Sequence, residues 1–363
     1  MALINEAIVA AAGSGKTSCL IKHALADSTK RVLFVTYTNE NLREINRCLW
    51  NAGKGHLVNV ETMTLFEFLL RECVKPYQTF ITNIARIRSV NFISNKPKFM
   101  ARDDFEKYYI DKANNIYSDA VSDLAYVINS KSKGKVIRRL ESIYDKVLID
   151  EVQDLAGWDL EFLKLLLQSK MQVILAGDLR QAVYLTNRSI KNKQFRGAKF
   201  VNWIDDRVTS GECKKLELTH SYRSIQSICD FADSLYPSLP VTISKNVETT
   251  KHDGVFLVLE SDVDAYRKSF APQELRWDKR NKKAGPSAKN FGTVKGLTFS
   301  RVLIFPTDPI AKFIRDGTAM KDVTTAKFYV AVTRARQSVG IVTGEKNMKL
   351  SLTYWSPNTT TVD

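Results

Sequence analysis

The chain is predicted to fold as α/β, in two three-layer domains of parallel strands with a short insertion in the first. Three observations predict this. Apolar runs at Ala7–Ala11, Val147–Ile149 and Val173–Ala176 each end in glycine or in polar residues able to do chemistry. Their unbroken apolar character is that of strands covered on both faces, and ligands gather at the C-terminal ends of such strands. The same signal returns after residue 205, at Val255–Leu259, Val302–Phe305 and Val339–Val342.

Ala10-Ala11-Ala12-Gly13-Ser14-Gly15-Lys16-Thr17 lies between the first apolar run and a helical stretch, Ser18–Leu25. This is a phosphate-binding loop. Gly13, Ser14 and Gly15 let the backbone approach phosphate oxygens, Lys16 brings a charge to the β/γ-phosphates, and Thr17 offers a hydroxyl to Mg²⁺. The helix behind the loop turns free N–H groups toward the anion. Ala10 stands where the general pattern has its first glycine. The run Lys146–Ile149 ends in Asp150-Glu151, which suits one carboxylate holding Mg²⁺ and the next activating the attacking water. Gln153 and Asp154 extend this motif. The run Gln172–Ala176 ends in Gly177-Asp178, followed by Gln181, placed to orient that water, and by Tyr184. Near the far end of the chain, Phe328–Arg336 carries arginines poised to meet the same phosphate from a second domain.

Taken in order, further segments join these. They are Val35-Thr36-Tyr37-Thr38-Asn39, Glu61-Thr62, Ser221-Tyr222-Arg223-Ser224 and Lys295–Phe299, while Tyr329–Ala335 is the core of the last segment above. Together the eight segments resemble the motif series of the superfamily 1 helicases, UvrD/Rep branch, from Ile8 to about Thr343. The resemblance implies two RecA-like P-loop NTPase domains, at 1–204 with a small insertion at about 75–140 and at 205–348, then a tail at 349–363. It implies that Arg223 and Arg334 are arginine fingers, that Tyr222 stacks on the base of ATP, and that Gln181 senses the γ-phosphate. Thr36, Tyr37, Asn39 and Thr62 would lie along a single strand, with Tyr184 linking the nucleotide to that face. The inserted segment Leu185–Gln194 adds Arg188, Lys191 and Lys193 to the expected nucleic-acid track.

The sequence also departs from the family pattern. No Gln-bearing adenine-recognition segment is expected ahead of the first strand, and Gly292 and Thr298 replace the usual His and Glu around Lys295-Gly296-Leu297. The second accessory insertion is almost absent. A stripped-down motor is expected.

Lys and Arg number 54 against 39 Asp and Glu, a formal charge of +15 over 363 residues. Such an excess favours a polyanionic partner and salt-dependent binding. Arg276–Lys283 and Arg86–Lys98 interleave cations with aromatics, a pattern that suits bases as well as phosphates. Five scattered cysteines and four histidines form no metal-ligand spacing. The cysteines read as reduced thiols of a cytoplasmic protein. No apolar run approaches a membrane span, and the N-terminus reads as a strand rather than a leader.

The expected function is an ATP-dependent, Mg²⁺-requiring translocase or helicase on single-stranded DNA, with RNA possible. Hydrolysis is expected in the cleft between the two domains. The alternative is a regulatory NTPase subunit that gates a partner nuclease, in repair or in anti-phage defence. That alternative fits a further resemblance, to the helicase-like subunits of Gabija-type systems.

Overall fold

The computed structural model describes residues 4–53, 55, 57–93, 104–184, 186–187, 189–346 and 349–357. The chain divides into two compact units. The first comprises Met1–Val9, Lys16–Leu179 and Tyr184–Glu217; the second comprises Ala10–Gly15, Arg180–Val183 and Leu218–Asp363.

In the first unit, strands β1 (Glu6–Ala10), β2 (Val32–Thr36) and β3 (Val60–Thr64) precede the insertion, which holds the short pair β4 (Val90–Asn91) and β5 (Ile116–Tyr117). Strands β6 (Lys146–Asp150), β7 (Gln172–Gly177) and β8 (Lys214–Leu218) follow. The main sheet runs β3-β2-β6-β7-β1-β8, and its pairings from β3 through β1 are parallel. Val32–Val35, Val147–Ile149 and Val173–Ala176 are buried along their whole length. Helices cover both faces of these central strands, so no solvent side imposes an alternating pattern.

Helix α1 (Lys16–Leu25) leaves β1 and α2 (Asn39–Gly53) leaves β2. The hydroxyl of Thr38 accepts from the Asn41 N–H at 3.1 Å, satisfying one orphan donor at the start of α2. Ile45 and Leu49, four residues apart, then turn one stripe of α2 inward. The insertion continues from α3 (Leu65–Phe68) through a π-helical turn at Leu69–Val74 to α4 (Phe105–Tyr109), α5 (Val121–Lys131) and α6 (Lys135–Ile143). Helix α5 packs on that turn and on α7 (Trp158–Leu167). Helix α8 (Phe200–Thr209) precedes β8.

The segment Lys215–Leu218, which falls within the second domain expected at 205–348, instead closes the edge of the first sheet beside β1. Its mostly exposed residues suit an edge position.

The second unit opens with β9 (His220–Ser221) and β10 (Ile243–Ser244), paired in parallel around α9 (Gln226–Asp233). Its main sheet contains β11 (Gly254–Leu259), β12 (Gln273–Arg276), β13 (Lys289–Asn290), β14 (Phe299–Phe305), β15 (Ala335–Thr343) and β16 (Thr353–Trp355). The order is β13-β12-β14-β15-β11-β16, all parallel. Helices α10 (Val263–Phe270), α11 (Asp308–Asp316) and α12 (Asp322–Val332) complete the unit. Helix α11 shows why such elements start and stop where they do. Pro309 sits in its first turn, where a missing N–H costs nothing, and Ile310 and Ile314 bury one face. Gly317, at φ +78°, ends it in a left-handed turn. Phe231, Leu257, Leu275, Phe291, Ile304 and Phe328 lie in the core of this unit.

A buried aromatic stack in the second unit makes its stability depend on pH. The His252 ring lies between Phe256 and Phe270, with centroids 4.2 and 3.9 Å away, and its Nε2 pairs with the Tyr266 hydroxyl at 2.8 Å. Burial, reinforced by the Arg301 charge, lowers the His252 pKa to about 4. The folded value lies below the unfolded one of about 6.5. The stack therefore contributes its full stability above about pH 6.5 and loses it as pH falls through about 4, on the order of 3 kcal/mol in all. Urea midpoints measured from pH 7 to pH 4.5 are expected to fall less steeply in His252→Phe than in the wild type; parallel slopes would refute this.

Candidate functional site

In the first unit, the start of α1 and the end of β6 bring three of the expected residues together. Lys16 Nζ lies 2.5 Å from Asp150 Oδ1 and 2.8 Å from Glu151 Oε1. Burial would lower the Lys16 pKa, but the two carboxylates outweigh it and the pKa is raised, so the ammonium stays charged. One cation between two carboxylates leaves a net negative charge, which suits a divalent ion. The Glu151 N–H donates to Asp150 Oδ1 at 2.8 Å, and the Glu151 backbone is left-handed at φ +61°. This turn lifts the Glu151 carboxylate off the line of β6 and toward Lys16. The buried Gln153 donates its side-chain N–H to Glu151.

Gly177 at the end of β7 is fixed by the same cluster. A Cβ there would collide with Gln153 Oε1 and come within 2.9 Å of Val152 Cγ2. Asp154 reaches the next segment, accepting from the Tyr184 N–H at 3.2 Å through its carboxylate and from the Thr186 N–H at 3.1 Å through its carbonyl. The sequence displays Gln153 and Asp154, but their task of holding Glu151 and the Tyr184 segment emerges only from the fold.

In the second unit, Gly13 and Gly15 have φ of +75° and +77°. A Cβ on Gly13 would lie 2.6 Å from Arg223 Cβ and 2.9 Å from Ser221 Oγ, and the Tyr222 N–H donates to the Gly13 carbonyl at 2.9 Å. The loop glycine is thus required both by its dihedral and by the close passage of Ser221–Arg223. Helix α12 ends at Val332 and Arg334 lies just beyond it, before β15. It is 1% exposed. Its Nε donates to the Val330 carbonyl at 3.0 Å, Nη1 to the Leu297 carbonyl at 3.3 Å, and Nη2 to Gln181 Oε1 at 3.3 Å. Arg223 Nη1 donates to the Thr333 carbonyl at 3.1 Å, next to Arg334 in the chain. Gln181, Arg223 and Arg334, far apart in sequence, are therefore gathered. Tyr222 keeps its ring 62% exposed.

The expected nucleic-acid residues are placed unevenly. Tyr37 stands with its ring centroid 6.0 Å from both Phe66 and Tyr184. Asn39 is exposed at the start of α2. Thr36 is buried at the end of β2, and the Thr62 hydroxyl donates to Asn46 Oδ1 at 2.8 Å. Lys191 pairs with Glu161 at 3.6 Å and lies over the Trp158 ring at 5.0 Å, so its charge is partly spoken for by α7. Lys193 is exposed at the head of a short turn. Arg188 lies outside the described residues. Among the described residues no helix is long and apolar enough to cross a membrane.

The UvrD/REP helicase N-terminal domain model matches residues 90–205, the stretch that carries Asp150, Glu151, Gln181 and Tyr184. Over this stretch, about a third of the chain, the sequence is similar to the UvrD/Rep helicases. Among curated proteins it is 25% identical to the Gabija protein GajB of Bacillus cereus, across 63% of this chain and 46% of that protein. It is 25% identical to an ATP-dependent helicase/nuclease subunit of Carboxydothermus hydrogenoformans, across 42% of this chain and 12% of that one. The matches thus span less than half the length of either relative. Among solved structures, the Arterivirus nonstructural protein 10 helicase aligns with 93% of this chain and 59% of its own at 15% identity and TM-score 0.48. Its complex with DNA aligns with 93% and 61% at 16% identity and TM-score 0.46.

Proposed function

We propose that the chain is an ATP hydrolase that moves along, or responds to, single-stranded nucleic acid, with DNA favoured over RNA. The observation that carries this reading is the Lys16 ammonium held between Asp150 and Glu151. Phosphate charge suits Lys16 and the N–H groups of the glycine loop, and Thr17 with Asp150 would hold Mg²⁺. Bound there, the ion would neutralise phosphate charge. Glu151, its carboxylate already aligned by Gln153, accepts the proton of the attacking water. Arg223 and Arg334 stabilise the charge that builds on the transferred phosphoryl group, and Gln181, bonded to Arg334, orients the water.

A purified sample is expected to hydrolyse ATP faster with single-stranded DNA than without, and less so with duplex. Hydrolysis indifferent to every nucleic acid would overturn the reading. A second reading is favoured by the names of the relatives, one a Gabija protein and one from a helicase/nuclease. In it, nucleotide turnover gates a partner nuclease and strand separation is slight. Strand-displacement assays separate the two, together with nuclease activity in material purified from the native host.

A further inference from the structure

Asp159 lies in the first turn of α7, where a carboxyl commonly serves the free N–H groups of a helix start. It does accept from the Ala156 N–H, at 3.1 Å. That local task needs only a surface position, yet Asp159 is 5% exposed. It shares an apolar cavity with Leu65, Phe68, Ile149, Leu155, Phe162 and Leu163, and no other described residue lining that cavity is charged. Burial raises its pKa, although its hydrogen bonds pull the other way. A carboxyl is costly to bury in such a place.

Two hydroxyls from remote segments explain the cost. Ser122 of α5, in the insertion, donates to Asp159, and so does Thr186, two residues past Tyr184. The Thr186 hydroxyl also reaches the Asp154 carbonyl at 2.9 Å, which accepts the Thr186 N–H as well. Thr186 is thus pinned to the end of the Asp150–Asp154 motif and to α7 at once. Asn187 follows it into the interior at 1% exposure, and its Oδ1 would lie 2.7 Å from a Cβ on Gly157. Asn192 Nδ2 returns to the Gly157 carbonyl at 2.9 Å and to Glu161 Oε1 at 3.0 Å. The inserted segment is fastened to the start of α7 near both of its ends.

We infer that Asp159 is a positioning residue: by fastening Thr186 it holds Tyr184 against the Asp150–Asp154 motif, and through Ser122 it sets the insertion in the same frame. The inference rests on the proposed response to single strands. Tyr184 keeps its ring partly exposed, 6.0 Å from that of Tyr37, while its own N–H bond to Asp154 is a long one at 3.2 Å. On a loose segment that ring would have to be ordered by each incoming strand. Fixing the chain two residues further on removes that cost from binding. Buried as it is, Asp159 meets no strand itself and acts through Tyr184. Release should therefore weaken the response to a strand and spare basal hydrolysis.

The test is ATP hydrolysis by the whole chain, titrated with oligo-dT and with oligo-rU. Thr186→Val keeps the shape and removes the hydroxyl. It is expected to leave basal turnover and the KM for ATP unchanged. The strand concentration giving half-stimulation should rise about tenfold, the scale of one buried hydrogen bond. Thr186→Ser should restore the wild-type value. Asp159→Ala should match Thr186→Val. Asp159→Asn can turn its nitrogen to Ser122, keep its oxygen on Thr186 and Ala156, and stay near the wild type. Added to Tyr184→Ala, Thr186→Val should cost little more, because both act through one group. Melting curves show which variants fold, and the Thr186 pair decides alone if Asp159→Ala does not. A less stable Thr186→Val that answers strands as the wild type does would overturn the inference, making Asp159 a purely structural carboxyl and leaving the functional reading intact. Full additivity with Tyr184→Ala would overturn it too. A wild type that neither strand stimulates would overturn the inference and the functional reading together.

Discussion

Glu151→Gln is expected to bind ATP as the wild type does and to hydrolyse it about 10²–10⁴-fold more slowly, the usual worth of a positioned general base. The substitution keeps size and shape, and glutamine meets the left-handed backbone at φ +61° on the same terms as glutamate. Lys16 keeps its 2.5 Å contact with Asp150, so charge for the phosphates is retained. Only the ability to take a proton from water is removed. Lys16→Ala is the useful contrast, since it leaves Asp150 and Glu151 side by side without their cation and should weaken nucleotide binding as well as turnover. Single-turnover hydrolysis set beside binding of a fluorescent ATP analogue separates these cases. Near wild-type turnover in Glu151→Gln would remove it from the role of base.

Arg334→Ala is expected to lower turnover by about 10³–10⁵, the range seen for arginine fingers. Its burial at 1% exposure makes a second effect unavoidable. Alanine removes the guanidinium that donates to the Val330 and Leu297 carbonyls and to Gln181 Oε1, and each such charged hydrogen bond lost costs about 1.5–3 kcal/mol. Arg334→Lys separates the two effects. It retains the charge and most of the volume but cannot fork to three acceptors at once. A folded Arg334→Lys protein with low kcat and nearly unchanged nucleotide affinity is the expected result. Pairing it with Gln181→Ala adds a check, because residues sharing a hydrogen bond couple and their losses should not add. A silent Arg334→Ala would dismiss the finger.

Much of this architecture is legible in the sequence because parallel strands buried on both faces must be apolar throughout. The runs at 147–149, 173–176 and 302–305 therefore announce themselves. The Lys16, Asp150 and Glu151 cluster is equally legible, since strand ends of one parallel sheet converge. What is not legible depends on partners remote in sequence. Lys215–Leu218 has no local feature that chooses between two sheets. Lys191 reads from sequence as a cation of the nucleic-acid track, and only the fold shows Glu161 and Trp158 of α7 beside it. The apolar run before Arg334 gives no sign of where its helix stops; the turn between α12 and β15 that lets its side chain meet Gln181 follows from packing.

The left-handed backbone at Glu151 has an evolutionary consequence. A residue with a Cβ held there stores strain of order 1–3 kcal/mol, which glycine would relieve. Selection for a sturdier molecule alone would thus drift toward glycine at position 151. A carboxylate on a backbone that disfavours it fits the proposed role of Glu151 as the base, in which chemistry and stability would pull in opposite directions. A lineage that ceased to need hydrolysis would be expected to lose this residue early and gain robustness as it did so.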